Sequence, residues 1–396
     1  MKIAVVGGGS TYTPELVAGF AARAGVIDVD ELVLYDIDGP RLDIVGGLAR
    51  RMYDAVHTTT SLPDALDGAD AVLIQLRVGG QHARLRDETI PARYGMVGQE
   101  TTGPGGFAKA MRTVPVVLDI ADAARRHAHP DAWIVDFTNP VGIVTRALLD
   151  EGHRAVGLCN VAIGLQRRIA AHLGVAPGDV ELDHAGLNHL TWLRSVRVGG
   201  VERMAELFDV LNEGVPADLM RTLNAIPSYY LRYFYCTDEV IDEQRHEPPR
   251  AEQVLAIERE LLEMYRDPNL DEKPALLDKR GGAYYSEAAA ALVTSLHTGD
   301  GARHYVNLRN NGTIAGLPDD AVVEVPALVD RDGAHPVPVP PLAPELLGLV
   351  QAVTQYEILT IEAARTGDRN TATRALLANP LVRQWQHVPD LLGDLV

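Results

Sequence analysis

Three groups of residues in this 396-residue chain have the types and spacing to do chemistry. The first is Gly7-Gly8-Gly9-Ser10, set between the apolar, β-branched run Lys2–Val6 and the helical pattern opened by Tyr12-Thr13-Pro14-Glu15-Leu16. A buried strand, a glycine turn and a helix start let backbone N–H groups approach a pyrophosphate. Thr13 reads as the N-cap and Pro14 as the first helical position. The spacing departs from G-x-G-x-x-G, because Tyr12 stands where the third glycine would be. The next apolar run, Glu31–Tyr35, ends in Asp36-Ile37-Asp38. An acidic residue at that distance holds a ribose hydroxyl in dinucleotide sites, although a helix-capping carboxylate would look the same. Together the two features point to NAD, with Gly7, Gly8, Gly9, Ser10 and Thr11 at the phosphates and Asp36, in preference to Asp38, at the ribose.

The second group is Cys159 and His189. Each alone reads as a core residue, a buried thiol and a satisfied imidazole. Together, thiolate and imidazole suit a soft or borderline divalent ion. Two protein ligands are too few for a structural zinc site, so substrate and water would complete the shell. The third group is a cluster in which four of the thirteen tyrosines, Tyr229, Tyr230, Tyr233 and Tyr235, fall within one short stretch. Aromatics so spaced are usually core. A tyrosine acting as a base must be activated, because its reference pKa is ~10. A metal ion supplies the activating charge. For a substrate anion, Arg84 or Arg86 is available; both could instead pair with Asp87 and Glu88. The segments Arg245–Arg250, Lys279–Gly282 and Asn307–Gly312 face either an anion or solvent.

These residues must be positioned by an alternation of strand and helix that runs from Met1 to about Asn160. Asp70–Arg77, Ala132–Phe137 and Ala155–Leu158 read as further buried strands, which implies a parallel sheet with helices on both faces. Ligands in such folds sit beyond the carboxyl ends of the strands. That rule gathers Gly7–Ser10, Asp36, Arg77, Asn139, Cys159 and Asn160 on one rim. Between Val78 and Arg112 the pattern breaks, and Gly98–Gly106 reads as a long glycine-rich loop above the cleft. Pro344–Thr366 reads as an amphipathic helix, and with the tail it suits packing at a subunit contact. Length favours two units, 1–160 and 161–396. A net charge of −18 argues against nucleic acid as a partner. The chain starts directly in a strand and carries no apolar run of membrane-spanning length. Two cysteines form no disulfide framework, so a cytoplasmic setting is expected.

Taken in order, Gly7–Leu16, Phe137-Thr-Asn-Pro140, Gly157-Leu-Cys-Asn160, Gly186-Leu-Asn-His189, Tyr230-Leu-Arg-Tyr233 and Arg309-Asn-Asn-Gly312 resemble glycoside hydrolase family 4, the NAD- and metal-dependent glycosidases. The likeness runs along nearly the whole chain and leans toward the 6-phospho-β-glucosidases. It implies an α/β fold of the lactate/malate dehydrogenase-like kind: a Rossmann-type doubly wound parallel sheet, then an α+β unit for substrate binding and oligomerisation. It implies that Cys159 and His189 hold a divalent metal, typically manganese, that Tyr230 is the base, and that Arg84, Asn139, Asn160 and Arg250 contact the substrate. It also implies a homodimer or homotetramer. Relatives acting on α-glucosides tend to carry Asp after the metal cysteine; Asn160 stands here, which fits the β class. Ala162 replaces a common proline, which bears on loop shape and aglycone preference. The implied route oxidises the sugar at C3 with NAD, removes the C2 proton through Tyr230, eliminates the C1 substituent, adds water and regenerates the cofactor. Such a site does without the paired carboxylates of ordinary glycosidases. Two other readings share these residues: a net NAD-dependent dehydrogenase of a sugar acid or hydroxy acid, and a non-catalytic NAD-binding protein.

Overall fold

The computed structural model describes all residues except Asn212, Ala283 and Arg383. Six strands form the parallel half: β1 (Lys2–Val6), β2 (Glu31–Tyr35), β3 (Val56–Thr59), β4 (Ala71–Ile74), β5 (Trp133–Asp136) and β6 (Ala155–Leu158). They lie side by side in the order β3-β2-β1-β4-β5-β6, the doubly wound arrangement. Residues alternate between two buried faces. Ile3, Val5, Leu32, Leu34 and Leu73 face one core with Leu16 and Phe20, while Ala4, Val6, Val72 and Ile74 face another with Val117 and Ala121. That double burial is why these strands are apolar throughout rather than alternating.

The sheet does not stop at residue 160. β7 (Val180–Leu187), β8 (Leu190–Val198), β9 (Val201–Glu202), β10 (Ile226–Pro227), β11 (Ala302–Arg309), β12 (Val322–Asp330) and β13 (Gly333–Pro336) extend it. β11 pairs antiparallel with β6, and β12, β7, β8 and β10 follow outward. Among the described residues the sheet has 13 strands. The carboxyl end of β6 and the tight turn between β7 and β8 are thereby brought to one edge of the cleft.

β1, β2, β6 and the helix Pro344–Thr366 lie where the sequence places them. β4 and β5 are shorter than expected, and β3, polar except for Val56, carries too little apolar signal to be read as a strand. Thr13 is not the N-cap of the first helix. Tyr12 caps it through its backbone, and Thr13 Oγ1 instead accepts a hydrogen bond from Gln75 Nε2 at 2.9 Å. The larger correction concerns residues 78–112. They form two helices, Gly80–Arg93 and Gly103–His127, joined by nine residues rather than by a long glycine-rich loop. The glycines serve close packing. A Cβ on Gly98 would lie 1.8 Å from the carbonyl oxygen of Glu88, and one on Gly105 would lie 2.3 Å from that of Gln99. Among the described residues no helix is long and apolar enough to cross a membrane.

Candidate active site

A cleft of about 730 Å³ opens beyond the carboxyl ends of the parallel strands. The glycine turn reaches the cleft at its end, through Ser10. Gly7 has φ +92°, and the N–H groups of Gly7 and Gly8 both donate to Tyr35 O, at 2.9 and 2.7 Å. A Cβ on Gly8 would meet Leu34 Cβ at 2.7 Å, and one on Gly9 would meet Asp36 Oδ2 at 2.8 Å. Gly9 N–H donates to Asp36 Oδ2 at 2.9 Å, which ties the turn to the acidic tip of β2. The glycines therefore let the turn pack closely on β2 and its acidic tip, at the strand ends where doubly wound folds hold a dinucleotide, and in that place the turn fits one. Ser10 lines the cleft. Thr11 does not: it is fully buried, and its hydroxyl is turned to Arg280 Nε at 2.7 Å. Arg280 and Arg41 share the buried carboxylate of Glu258 behind the turn.

Cys159 leaves the end of β6, and His189 occupies the β7–β8 turn with φ 61°. Their Sγ and Nε2 atoms lie 3.6 Å apart. The ring of Tyr230 stacks on the His189 imidazole, with centroids 3.6 Å apart and planes within 6°. Tyr285 OH lies 3.8 Å from Cys159 Sγ. Residues far apart in sequence thus converge on one point. Of the other tyrosines, Tyr233 is largely buried but also lines the cleft, Tyr229 stands exposed at the cleft mouth, and Tyr235 packs on the main core.

Burial governs the protonation of this group. It pushes His189 down to about 4, leaving the neutral imidazole that ligates metals. Burial, with Glu324 nearby, pushes the Cys159 thiol up to about 12, so a cation is needed to draw off its proton. Burial and the neighbouring Cys159 hold Tyr230 well above its ordinary value, and Arg84 acts against them. The donor set, one sulfur and one imidazole nitrogen with a phenol alongside, fits a soft or borderline divalent cation. Among the described residues no group of three or more His, Cys, Asp and Glu is placed to hold a metal. The remaining positions would fall to exogenous ligands. Asn139 and Asn160 line the cleft. Asn139 Oδ1 is buried without a hydrogen-bond partner, an acceptor suited to a sugar hydroxyl.

One wall of the cleft is cationic. Glu100, in the short connection between the two helices, accepts from Arg77 and, at 2.6 Å, from Lys109 Nζ, with Arg84 Nε 3.2 Å away. Arg84 also donates to Glu88 at 2.7 Å. Arg86 turns outward to the carbonyl of Asp394, so Arg84 is the member of that pair that faces the cleft. Arg250 lies at the rim at the start of the helix Arg250–Tyr265, its Nη2 donating to Lys279 O at 2.8 Å. Glu100 and Lys109 were missed by sequence reasoning. A lone lysine in the apolar run Phe107-Ala-Lys109-Ala was the available signal, because a buried cation needs a partner.

Behind His189 a small chamber is lined by Thr101, Asn188 and Glu357. Glu357 is 6% exposed, and burial pushes its carboxyl up to about 8. An unfolded glutamate releases its proton near ~4.3, so between these values the folded state holds the extra proton and stability falls as pH rises. Glu357→Gln should melt nearly like the parent at pH 5. Its advantage should grow to roughly 3–5 kcal/mol by pH 9, measured by thermal denaturation across that range. A pH-independent offset would contradict the assignment.

The model of family 4 glycosyl hydrolases matches residues 2–175, and that of the family 4 glycosyl hydrolase C-terminal domain matches residues 184–382. A probable 6-phospho-beta-glucosidase of Bacillus subtilis is 43% identical, with 100% of this chain and 96% of the relative covered. The structure of the Thermotoga maritima 6-phospho-beta glucosidase with NAD and glucose-6-phosphate superposes with a TM-score of 0.95 at 38% identity, covering 100% of this chain and 97% of that one. The form of the same enzyme with manganese, NAD+ and glucose-6-phosphate has a TM-score of 0.93 at 37% identity over the same shares. A lactate dehydrogenase from a deep-sea metagenome, 15% identical with a TM-score of 0.58 over 91% of this chain and 98% of its own, shares the fold alone. The chain belongs to glycosyl hydrolase family 4.

Proposed function

We propose that this protein hydrolyses 6-phospho-β-glucosides with NAD and a divalent metal, manganese by preference. The observation that carries the reading is the stacking of Tyr230 on His189 beside Cys159, with Tyr230 lining a cleft shared with Ser10 of the glycine turn and with Arg77, Arg84 and Lys109. Relatives named as 6-phospho-β-glucosidases, one of them with glucose-6-phosphate, NAD and manganese, support the substrate class. Gly7, Gly8, Gly9 and Ser10 would hold NAD with Asp36, and Cys159 with His189 would hold the metal. When bound, NAD supplies a reversible hydride acceptor for C3 of the sugar, and the metal supplies positive charge beside the sugar oxygens.

This chain's own residues then have distinct tasks. Tyr230 takes the C2 proton at its phenolic oxygen. Burial penalises its anion, so Arg84 and a cation at the Cys159–His189 pair must favour it. Asn139 and Asn160 orient sugar hydroxyls. Arg84 and Arg250 meet the 6-phosphate. Residues 1–160 would carry the cofactor and residues 161–396 the base, with the metal pair straddling the boundary.

The test is a panel of aryl β- and α-glycosides, with and without 6-phosphate, assayed with NAD and manganese. Hydrolysis restricted to 6-phospho-β-glycosides without net NADH is expected. Steady NADH accumulation would indicate a dehydrogenase. Tight NAD binding with no manganese-dependent turnover would indicate a binding protein.

A further inference from the structure

The proposed metal ligand His189 can serve only in one tautomer. Its Nε2 faces Cys159, so Nε2 must be bare and Nδ1 must carry the proton. The hydrogen bonds around Thr101 dictate that arrangement. Thr101 Oγ1 lies 3.0 Å from His189 Nδ1 and 2.9 Å from Gln99 Oε1. The Gln99 atom is identified as the oxygen by two other donors, the backbone N–H groups of Thr101 and Thr102. A carbonyl oxygen only accepts, so the Thr101 hydroxyl spends its single proton there. Its lone pairs remain for Nδ1–H of His189. The order of donation is His189 to Thr101 to Gln99.

The supporting segment is itself held fast. Gln244 bonds both the N–H and the carbonyl of Gly98, each at 2.9 Å, and Gly105 packs against the Gln99 backbone. The imidazole is also clamped between this bond and the stacked Tyr230 ring. We propose that Thr101, oriented by Gln99, is a positioning residue that fixes His189 as its Nδ1–H tautomer and reserves Nε2 for the divalent metal. This inference rests on the reading of Cys159 and His189 as metal ligands.

The experiment measures Mn2+ binding to the purified full chain, without substrate, from the electron paramagnetic resonance of free Mn2+. Thr101→Val removes the hydroxyl at nearly constant volume and should weaken Mn2+ binding by about 10–100-fold, the usual cost of losing such a partner. Thr101→Ser restores the hydroxyl and should bind like the parent. NAD binding to a distant wall of the cleft reports that each variant is folded. Loss of Mn2+ binding in Cys159→Ser together with parental binding in Thr101→Val would overturn the inference alone. Parental binding in Cys159→Ser would overturn the metal site itself. Equal weakening in Thr101→Ser and Thr101→Val would assign the effect to packing and overturn the role of the hydroxyl. The metal-free parent chain gives an independent reading by 15N NMR of its histidines, with His189 assigned by its loss in His189→Gln. A proton on Nδ1 is expected, and one on Nε2 overturns the proposal.

Discussion

Tyr230→Phe should lower turnover of a 6-phospho-β-glucoside by roughly 10²–10⁴-fold, the contribution of a positioned base. It should also slow exchange of the sugar C2 hydrogen with solvent by a comparable factor. The substitution removes one oxygen and keeps the ring, so the stack on His189 persists. Mn2+ and NAD binding should therefore match the parent, and the loss should fall on kcat rather than on KM for the glycoside. Turnover in deuterium oxide, followed by NMR of the released sugar, reads the exchange directly. Exchange of the C2 hydrogen at the parental rate in Tyr230→Phe would remove Tyr230 from the role of base. Tyr235→Phe is the control, because its ring packs on the main core and does not line the cleft.

What could be read before the fold was known follows a physical pattern. The turn at Gly7–Ser10 and the acidic tip at Asp36 are local signals, because strand, turn and helix start lie within one short stretch and the next strand is its immediate neighbour. Their geometry followed accordingly. Cys159 and His189 were candidates by type, but their meeting depends on β11 and β12 bridging β6 to β7, a pairing of distant segments that periodicity does not encode. The glycines at 98, 103, 105 and 106 misled for a definable reason. A breaker residue signals a loop only when its freedom is used, whereas Gly98 and Gly105 are there because neighbouring carbonyls leave no room for a Cβ. Thr11 sits in the right turn but faces inward, since position in a motif does not determine which way a side chain points. Thr101, Gln99 and Glu100 carried no signal at all. Glu100 and Thr101 act through partners brought to them by the fold, and nothing in a polar stretch marks such partners.

Glu100→Gln should destabilise the chain by about 3–5 kcal/mol, the cost of stripping a buried cation group of its counter-charge. Glu100 is 7% exposed and Lys109 3% exposed. Burial alone would raise the Glu100 carboxyl, yet Arg77, Lys109 and Arg84 hold it well below its usual range. An amide keeps one acceptor but turns an N–H₂ toward groups that only donate. Burial pushes Lys109 down to about 8 even with Glu100 in place. Without that carboxylate the ammonium loses its main support and should deprotonate at neutral pH. Lys109→Met in the Glu100→Gln background should recover part of the stability, because it removes the buried amine that would otherwise have to give up its proton on folding; thermal and urea denaturation would measure both steps. The same variant tests the cationic wall. If Arg84 meets the 6-phosphate, glucose 6-phosphate returns negative charge to the uncompensated cluster, and it should raise the melting temperature of Glu100→Gln by more than it raises that of the parent. An equal or smaller rise would place the phosphate beyond the reach of Arg84 and leave Glu100 a structural anchor for the cations around it.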